Sequence, residues 1–252
     1  VHVFFLCINN QQHNIMERIK KYVLMAFLFA CGLYSQAQTS TLPKGFSDGS
    51  FVCYVRTGLS LNCVTGSGVD DVKTEWVTNK INGEFKNTLG GLLNVGVDMP
   101  LGISPFYYGM SVSLAMRGYK TTEKWKDGAN KLEGQEKLTA FCAQLSPVII
   151  GYIAKLTDHI ALDPHIGLYF STDIAGIFSD ELSYSDNTKD KKTTDISDKE
   201  DYNRYDAGIC GGIGLWYNHW FVDISYQRGI ASMKKADDYC STKLLFSVGY
   251  AF

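Results

Sequence analysis

The last ten residues, Lys243 to Phe252, constrain this chain more than any other stretch. Leu244, Phe246, Val248, Tyr250 and Phe252 fall on one parity, and Lys243, Leu245, Ser247, Gly249 and Ala251 on the other. Successive strand residues point to opposite faces, so one face here is continuously apolar. The other, Leu245 excepted, is small or polar. A soluble lipocalin-like barrel would turn the large apolar parity inward. A transmembrane barrel turns it outward to lipid and keeps small and polar groups inside.

The same dyad recurs upstream. Trp220, Val222, Ile224 and Tyr226 alternate with Phe221, Asp223, Ser225, Gln227 and Gly229. Ile209, Gly211, Ile213, Leu215 and Tyr217 alternate with Asp206, Gly208, Cys210, Gly212, Gly214 and Trp216. Ile160, Leu162, Pro164, Ile166, Leu168 and Phe170 oppose Asp163, His165, Gly167, Tyr169 and Ser171, although Pro164 would remove a ladder hydrogen bond. Phe106 to Tyr119, Leu89 to Met99 and Phe51 to Cys63 behave alike. Leu138 to Leu156 is the least regular, with Phe141, Ala143, Leu145, Pro147 and Ile149 read as outward and Gln144 and Ser146 as inward.

That makes eight strands. Their connections alternate between short (100–105, 155–159, 218–219) and long and mostly hydrophilic (65–87, 120–137, 172–204, 231–239), as outer-membrane barrels pair short periplasmic turns with long extracellular loops. An even count leaves both chain ends on one side. The expected fold is all-β: an eight-stranded antiparallel up-and-down transmembrane β-barrel.

Ahead of the barrel, residues 1–15 read as translated upstream sequence. Met16 then opens a secretory signal over residues 16–38, with a basic stretch to Lys21, twelve apolar residues from Tyr22 to Leu33, and small and polar residues to Gln38. Twelve apolar residues are too few for a membrane-spanning helix, which needs about 20. The barrel domain is expected over 39–252. Glycine at 24, proline at 5, Tyr at 15 and Phe at 14 suit repeated strands. A net charge of −2 gives no reason to invoke nucleic acid. Five cysteines follow the signal: Cys53, Cys63, Cys142, Cys210 and Cys240. None has zinc-ligand spacing. They read as small apolar wall residues, with an oxidised pair such as Cys240 with Cys63 left open.

The Trp220-Phe-Val-Asp-Ile-Ser-Tyr-Gln-Arg-Gly229 strand, the Lys243 to Phe252 strand and the Ser35-Gln-Ala-Gln38 signal end resemble the porin-family, PorT-like outer-membrane β-barrel proteins of Bacteroidetes (outer membrane protein beta-barrel domain). The resemblance spans Phe51 to Phe252 in architecture and is sharpest over the last fifty residues. It implies an outer-membrane location more firmly than an activity, and some such proteins belong to a secretion apparatus. Expected partners are outer-membrane lipid, barrel-assembly machinery engaged through a C-terminal insertion signal at Tyr250 and Phe252, and surface or secretion proteins.

The inward parity carries Arg56, Asp98, Arg117, Asp163, His165, Asp206, Asp223, Gln227 and Lys243. Eight strands leave an interior just wide enough to be filled by side chains, and buried charges must be paired. The expected lumen is therefore a salt-bridged plug in which Arg56, Arg117 and Lys243 neutralise the aspartates. Gly208, Gly212 and Gly214 thin one wall and keep a narrow channel as an alternative. A lumenal acyl hydrolase or transferase would start from His165 with Ser111, Ser113 or Ser171, yet no Gly-x-Ser-x-Gly elbow surrounds any serine. The stretch Asp186 to Asp201 lacks calcium-loop spacing and reads as a mobile, solvated loop. Gly211 to Gly214 lacks the Lys-Ser/Thr of a phosphate loop. Tyr217 and Trp220 at one rim, and Tyr119, Trp125 and Tyr205 at the other, read as aromatic belts. No catalytic residue, metal or cofactor is expected. The favoured function is non-enzymatic, with surface loops meeting external molecules.

Overall fold

In a computed structural model of the protein, the described residues are 42, 43, 45, 49–101, 105–127, 130–184, 188–234 and 238–252. The stretch read as upstream sequence and the signal at 16–38 lie outside them.

Eight long strands form one ring: β1 (Val52–Thr65), β3 (Thr88–Pro100), β4 (Phe106–Asp127), β5 (Asn130–Tyr152), β7 (Ile160–Ser183), β9 (Tyr205–Tyr217), β10 (Trp220–Ser232) and β11 (Cys240–Ala251). Each pairs antiparallel with the next. β1 pairs with β11 over Tyr54↔Ala251 to Thr65↔Cys240 and closes the ring. Closure leaves no wall strand with an unpaired edge, the condition a sheet must meet to stand in hydrocarbon.

The large apolar parity faces out. Phe246 is 45% exposed, Val248 43%, Ile224 50% and Ile213 50%. Their inward neighbours Leu245, Ser247, Ser225 and Gly214 are buried. A lipocalin-like arrangement is therefore excluded. At the short-turn end Phe106, Tyr108, Tyr152, Tyr217, Trp220, Tyr250 and Phe252 all share the outward parity and form an aromatic girdle. At the other end the first outward charges are Lys120, Lys137 and Arg228.

Three features depart from the sequence reading. Between Leu145 and Val148, β5 carries one residue more than either neighbour, so the parity flips at Pro147. Ile149, read as outward, is buried and packs in the interior. A proline that cannot donate is accommodated at such a bulge. Pro164 is tolerated for a related reason: the β5 ladder on β7 ends at His165, and the two-residue β6 (Ala154–Lys155) pairs only with Ala161 and Leu162.

The long connections are not loops throughout. β4 and β5 continue as a ladder to Asp127↔Asn130. β7 runs on to Ser183 and pairs there with β8 (Lys189–Asp195), and β2 (Asn82–Lys86) pairs with Lys120 to Lys124. An extension of the same sheet, β2-β4-β5-β7-β8, thus stands beyond the ring. The stretch from Asp186 is partly outside the described residues, but most of it is this edge strand and a 3-10 turn whose Ile196 is buried. Three lysines on the free edge discourage pairing with another chain.

Tyr119 leaves the belt reading as well, because odd residues of β4 point inward and Tyr119 is buried. It packs with Leu138, Phe178, Tyr202 and Tyr239. Trp125 shares its parity, beyond the ring. Between β1 and β2 lies α1 (Ser67–Thr78). No side chain of its own helix caps it. Asp238, in the β10–β11 connection, accepts from the Ser67 backbone N–H at 3.1 Å and the Ser67 hydroxyl at 3.2 Å, and its carbonyl accepts from Gly68 N–H.

This tether sets a pH dependence. Bonds from the Cys240 thiol, then the Ser67 N–H and hydroxyl, hold the Asp238 carboxyl below its ordinary range. Burial pushes the Cys240 thiol itself up to about 11, so it stays an S–H donor at neutral pH. Because the folded carboxyl is the stronger acid, the stabilisation is complete above the unfolded value of about 3.9. It fades as pH falls through the lower folded value. Asp238→Asn should raise hydrogen exchange over Ser67 to Val72 at neutral pH while the wall strands keep their protection. Unchanged exchange there would contradict the tether.

Candidate functional site: a sealed polar lumen

The interior is layered along the barrel. At the short-turn end Tyr54, Tyr107, Trp216 and Phe221 fill the bore together with Leu42, Ile149 and Ile153. Trp216 and Phe221 lie 4.4 Å apart between ring centroids, and Tyr54 meets Phe221 edge-on at 5.7 Å. Wall glycines make room for the rings: a Cβ on Gly151 would sit 2.2 Å from the Tyr107 ring, and one on Gly249 2.3 Å from Phe221.

Above this floor lies the first polar layer. Arg56 Nη1 is 3.3 Å from Asp223 Oδ1, and Arg56 Nε donates to Asn94 at 3.1 Å. The Ser225 hydroxyl donates to the same Asp223 oxygen at 2.9 Å. His165 bridges two carboxylate residues, with Nε2 3.5 Å from Asp223 Oδ2 and Nδ1 3.2 Å from the Asp163 carbonyl oxygen. Asp163 accepts from the Tyr107 hydroxyl at 2.8 Å and from Trp216 Nε1 at 3.3 Å. Asp98 and Gln227 are buried beside these groups. The space they leave is about 30 Å³, room for about two water molecules.

The second polar layer centres on Arg117, 1% exposed. Its Nη2 lies 2.6 Å from Asp173 Oδ2 and its Nη1 3.4 Å from Asp206 Oδ2. The Tyr202 hydroxyl donates to Asp173, and the Tyr169 hydroxyl to Asp206 at 3.1 Å. Lys243 breaks the expected pattern. It is 1% exposed, and its Nζ is 3.8 Å from Cys142 Sγ, with no carboxylate within ion-pair distance among the described residues. The ring places β11 and β5 opposite one another, so Lys243 spans the bore instead of pairing along the wall. All five described cysteines are free thiols.

The long-loop end closes over a second apolar layer of Tyr119, Leu138, Phe178, Ile196, Tyr202, Met233 and Tyr239. Phe178 and Tyr202 meet edge-on at 5.2 Å. The glycines read as thinning the wall are also occupied, since a Cβ on Gly212 would lie 2.6 Å from Ser225 and one on Gly208 2.8 Å from the Tyr169 ring.

The structure therefore sorts the nine lumenal residues named from the sequence into two groups. Arg56, Asp98, Asp163, His165, Asp223 and Gln227 line the first cavity. Arg117 and Asp206 lie above, with Lys243 crossing between the walls. Of the insertion-signal residues, Tyr250 stacks on His219 at 5.7 Å and meets Trp220 and Phe252 edge-on at 5.1 and 5.3 Å. Sequence reasoning missed Asp173 and Tyr202, and it set Asn94 on the inward parity without counting it among the polar contacts. Asp173 was in reach, for it shares the odd parity of Asp163 and Tyr169, but the strand was ended at Ser171. No described residues group as three or more metal-binding side chains. His165 contacts none of the three serines weighed with it.

The family described as outer membrane protein beta-barrel domain matches residues 36–235. No curated protein sequence matches the chain. Among solved structures, similarity extends to the Ail attachment invasion locus protein of Yersinia pestis, at 12% identity over 81% of this chain and 99% of that one, TM-score 0.33. A major outer membrane protein of Thermus thermophilus is 12% identical over 81% of this chain and 100% of that one, TM-score 0.42. The N-terminal β-barrel domain of Pseudomonas aeruginosa OprF is 11% identical over 80% and 97%, TM-score 0.29.

Proposed function

This chain belongs to the outer membrane protein beta-barrel domain family, and from that premise we propose that it is a non-conducting, non-enzymatic surface protein. It is a small outer-membrane β-barrel. In our reading the sheet extension beyond the ring, α1 and the connections around them face the cell exterior and meet other molecules there, with the aromatic girdle at the periplasmic boundary. One observation carries this reading: apolar layers close both ends of the bore, and most of its charges are spent on one another. What could be offered to a partner is then the surface beyond the membrane. A closed ring is a stiff base for such a surface, because its backbone hydrogen bonds are satisfied within the wall.

The finer identity belongs to the same proposal. The Trp220 to Gly229 and Lys243 to Phe252 strands favour the PorT-like group of Bacteroidetes. Residues 16–38 would direct export, and Tyr250 and Phe252 would present the barrel to its assembly machinery.

Conductance tests the reading. Refolded protein in a planar bilayer should show no stable open step. A reproducible step in the wild type would contradict the sealed bore and restore the channel alternative. Hydrolysis of a lipid ester that disappears in His165→Ala would instead favour the enzyme.

A further inference from the structure

The ring is complete, but one sector of the wall above it is not. The β1–β3 ladder ends at Asn62↔Thr88, and from there upward β2 takes the place of β3 beside β4. β2 and β1 share no ladder, so the last residues of β1 pair only with β11. A lateral slot of about 420 Å³ lies in this gap. Val64, Val69, Trp76 and Phe85 give it an apolar lining, with α1 lying over the gap and Trp76 packed on Phe85 at 5.2 Å. Lys73 and Lys86, each with about half of its side chain exposed, line it together with one carboxylate, Glu84. Their partners are the exposed carboxylates Asp70 at 3.6 Å and Glu84 at 3.3 Å, and such solvated pairs contribute little and exchange readily.

The position of the slot says what can enter it. Cys63, which lines it, lies in one register row with Thr242 and Arg228, where the first outward charge of β10 ends the apolar belt. Leu61 and Leu89, register partners directly below, are both exposed on the lipid-facing side. The apolar belt therefore reaches the lip of the slot at the depth of the lipid headgroups, where Asn87 is the first polar residue beside it. Volume, apolar lining and a few polar groups match a small-ligand site.

We propose that this slot takes one acyl chain of an anionic, phosphate-bearing membrane lipid, with its phosphate held between Lys73 and Lys86. The chain enters from the bilayer along Leu61 and Leu89 and ends against Trp76. Binding of this kind would fasten α1 to the membrane surface. The inference needs only the membrane-embedded barrel and is independent of whether the bore conducts or the loops bind a partner.

Trp76 reports occupancy directly. Wild type and Trp76→Phe are reconstituted in phosphatidylglycerol vesicles with plain or mid-chain brominated acyl groups, and the difference between the two proteins isolates Trp76 emission. The account expects Trp76 to lose most of its emission in the brominated vesicles. Equal Trp76 emission in both vesicles would overturn it. Should Trp76→Phe fail to refold, wild type is irradiated in vesicles whose phosphatidylglycerol carries a diazirine at the chain end. Adducts within residues 67–86 support the slot, and adducts confined to the outward belt overturn it.

Discussion

Replacing Arg117 with alanine should cost about 3–5 kcal/mol of barrel stability, the loss expected when one partner of a buried ion pair is removed. The side chain is almost wholly enclosed and faces Asp173 at 2.6 Å and Asp206 at 3.4 Å. Without it, two carboxylates remain inside a bore closed at both ends, with the Tyr202 and Tyr169 hydroxyls bonded to them but no guanidinium facing them. The penalty belongs to those stranded charges more than to the lost attraction. Adding Asp173→Asn and Asp206→Asn to Arg117→Ala should therefore recover part of the loss, a coupling that a mutant cycle measures. Equilibrium urea unfolding in phospholipid vesicles gives the values. A loss within about 1 kcal/mol, the range of solvated pairs, would mean that water reaches this layer and the bore is open.

The second large effect lies on the outer face. Ile224→Arg should destabilise by about 2–4 kcal/mol, because Ile224 stands midway between the girdle at Trp220 and the boundary at Arg228, where a lipid-facing cation costs most. Its register partners Phe246 and Ile213 are exposed on the same face. Tyr205→Arg, at the end of β9 near the boundary, should cost about 0–1 kcal/mol by the same depth rule. The same urea titration compares the two. Equal costs at both positions would remove the hydrocarbon belt from the account.

The membrane-spanning part of this fold was legible because hydrocarbon and a packed bore impose opposite demands on alternate residues. That contrast writes a period of two into β10 and β11 with almost no exceptions. It fails where an extra residue enters a strand. Past Pro147 the residues Val148 to Ile150 are apolar on both parities, so nothing in the pattern marks the flip that carries Ile149 inward. It fails again above the membrane, where both faces of β8 meet water. Lys189 to Asp195 then reads as a loop, although the β7 ladder holds it as a strand.

The lumenal residues were legible as a set but not as contacts. Parity places Arg56, Asp163 and Asp223 inside without saying which will meet. Lys243 illustrates the limit, since its position in β11 suggests a nearby aspartate while the geometry of the ring sends it across to Cys142. The aromatic floor and cap were missed as closures because Tyr107, Trp216 and Phe221 come from three different strands and Phe178 lies beyond a second bulge near Ile174.

A spin-label scan along β10 and β11 tests the central claim most directly, with collision rates read against oxygen, which enters bilayers, and a nickel chelate, which does not. Labels at Val222, Ile224, Phe246 and Val248 should collide strongly with oxygen and weakly with nickel, while labels at Ser225 and Ser247 should be shielded from both. Oxygen contact that peaked at Ser225 and Ser247, or nickel contact at Ile224 and Phe246, would contradict a barrel whose apolar face meets lipid.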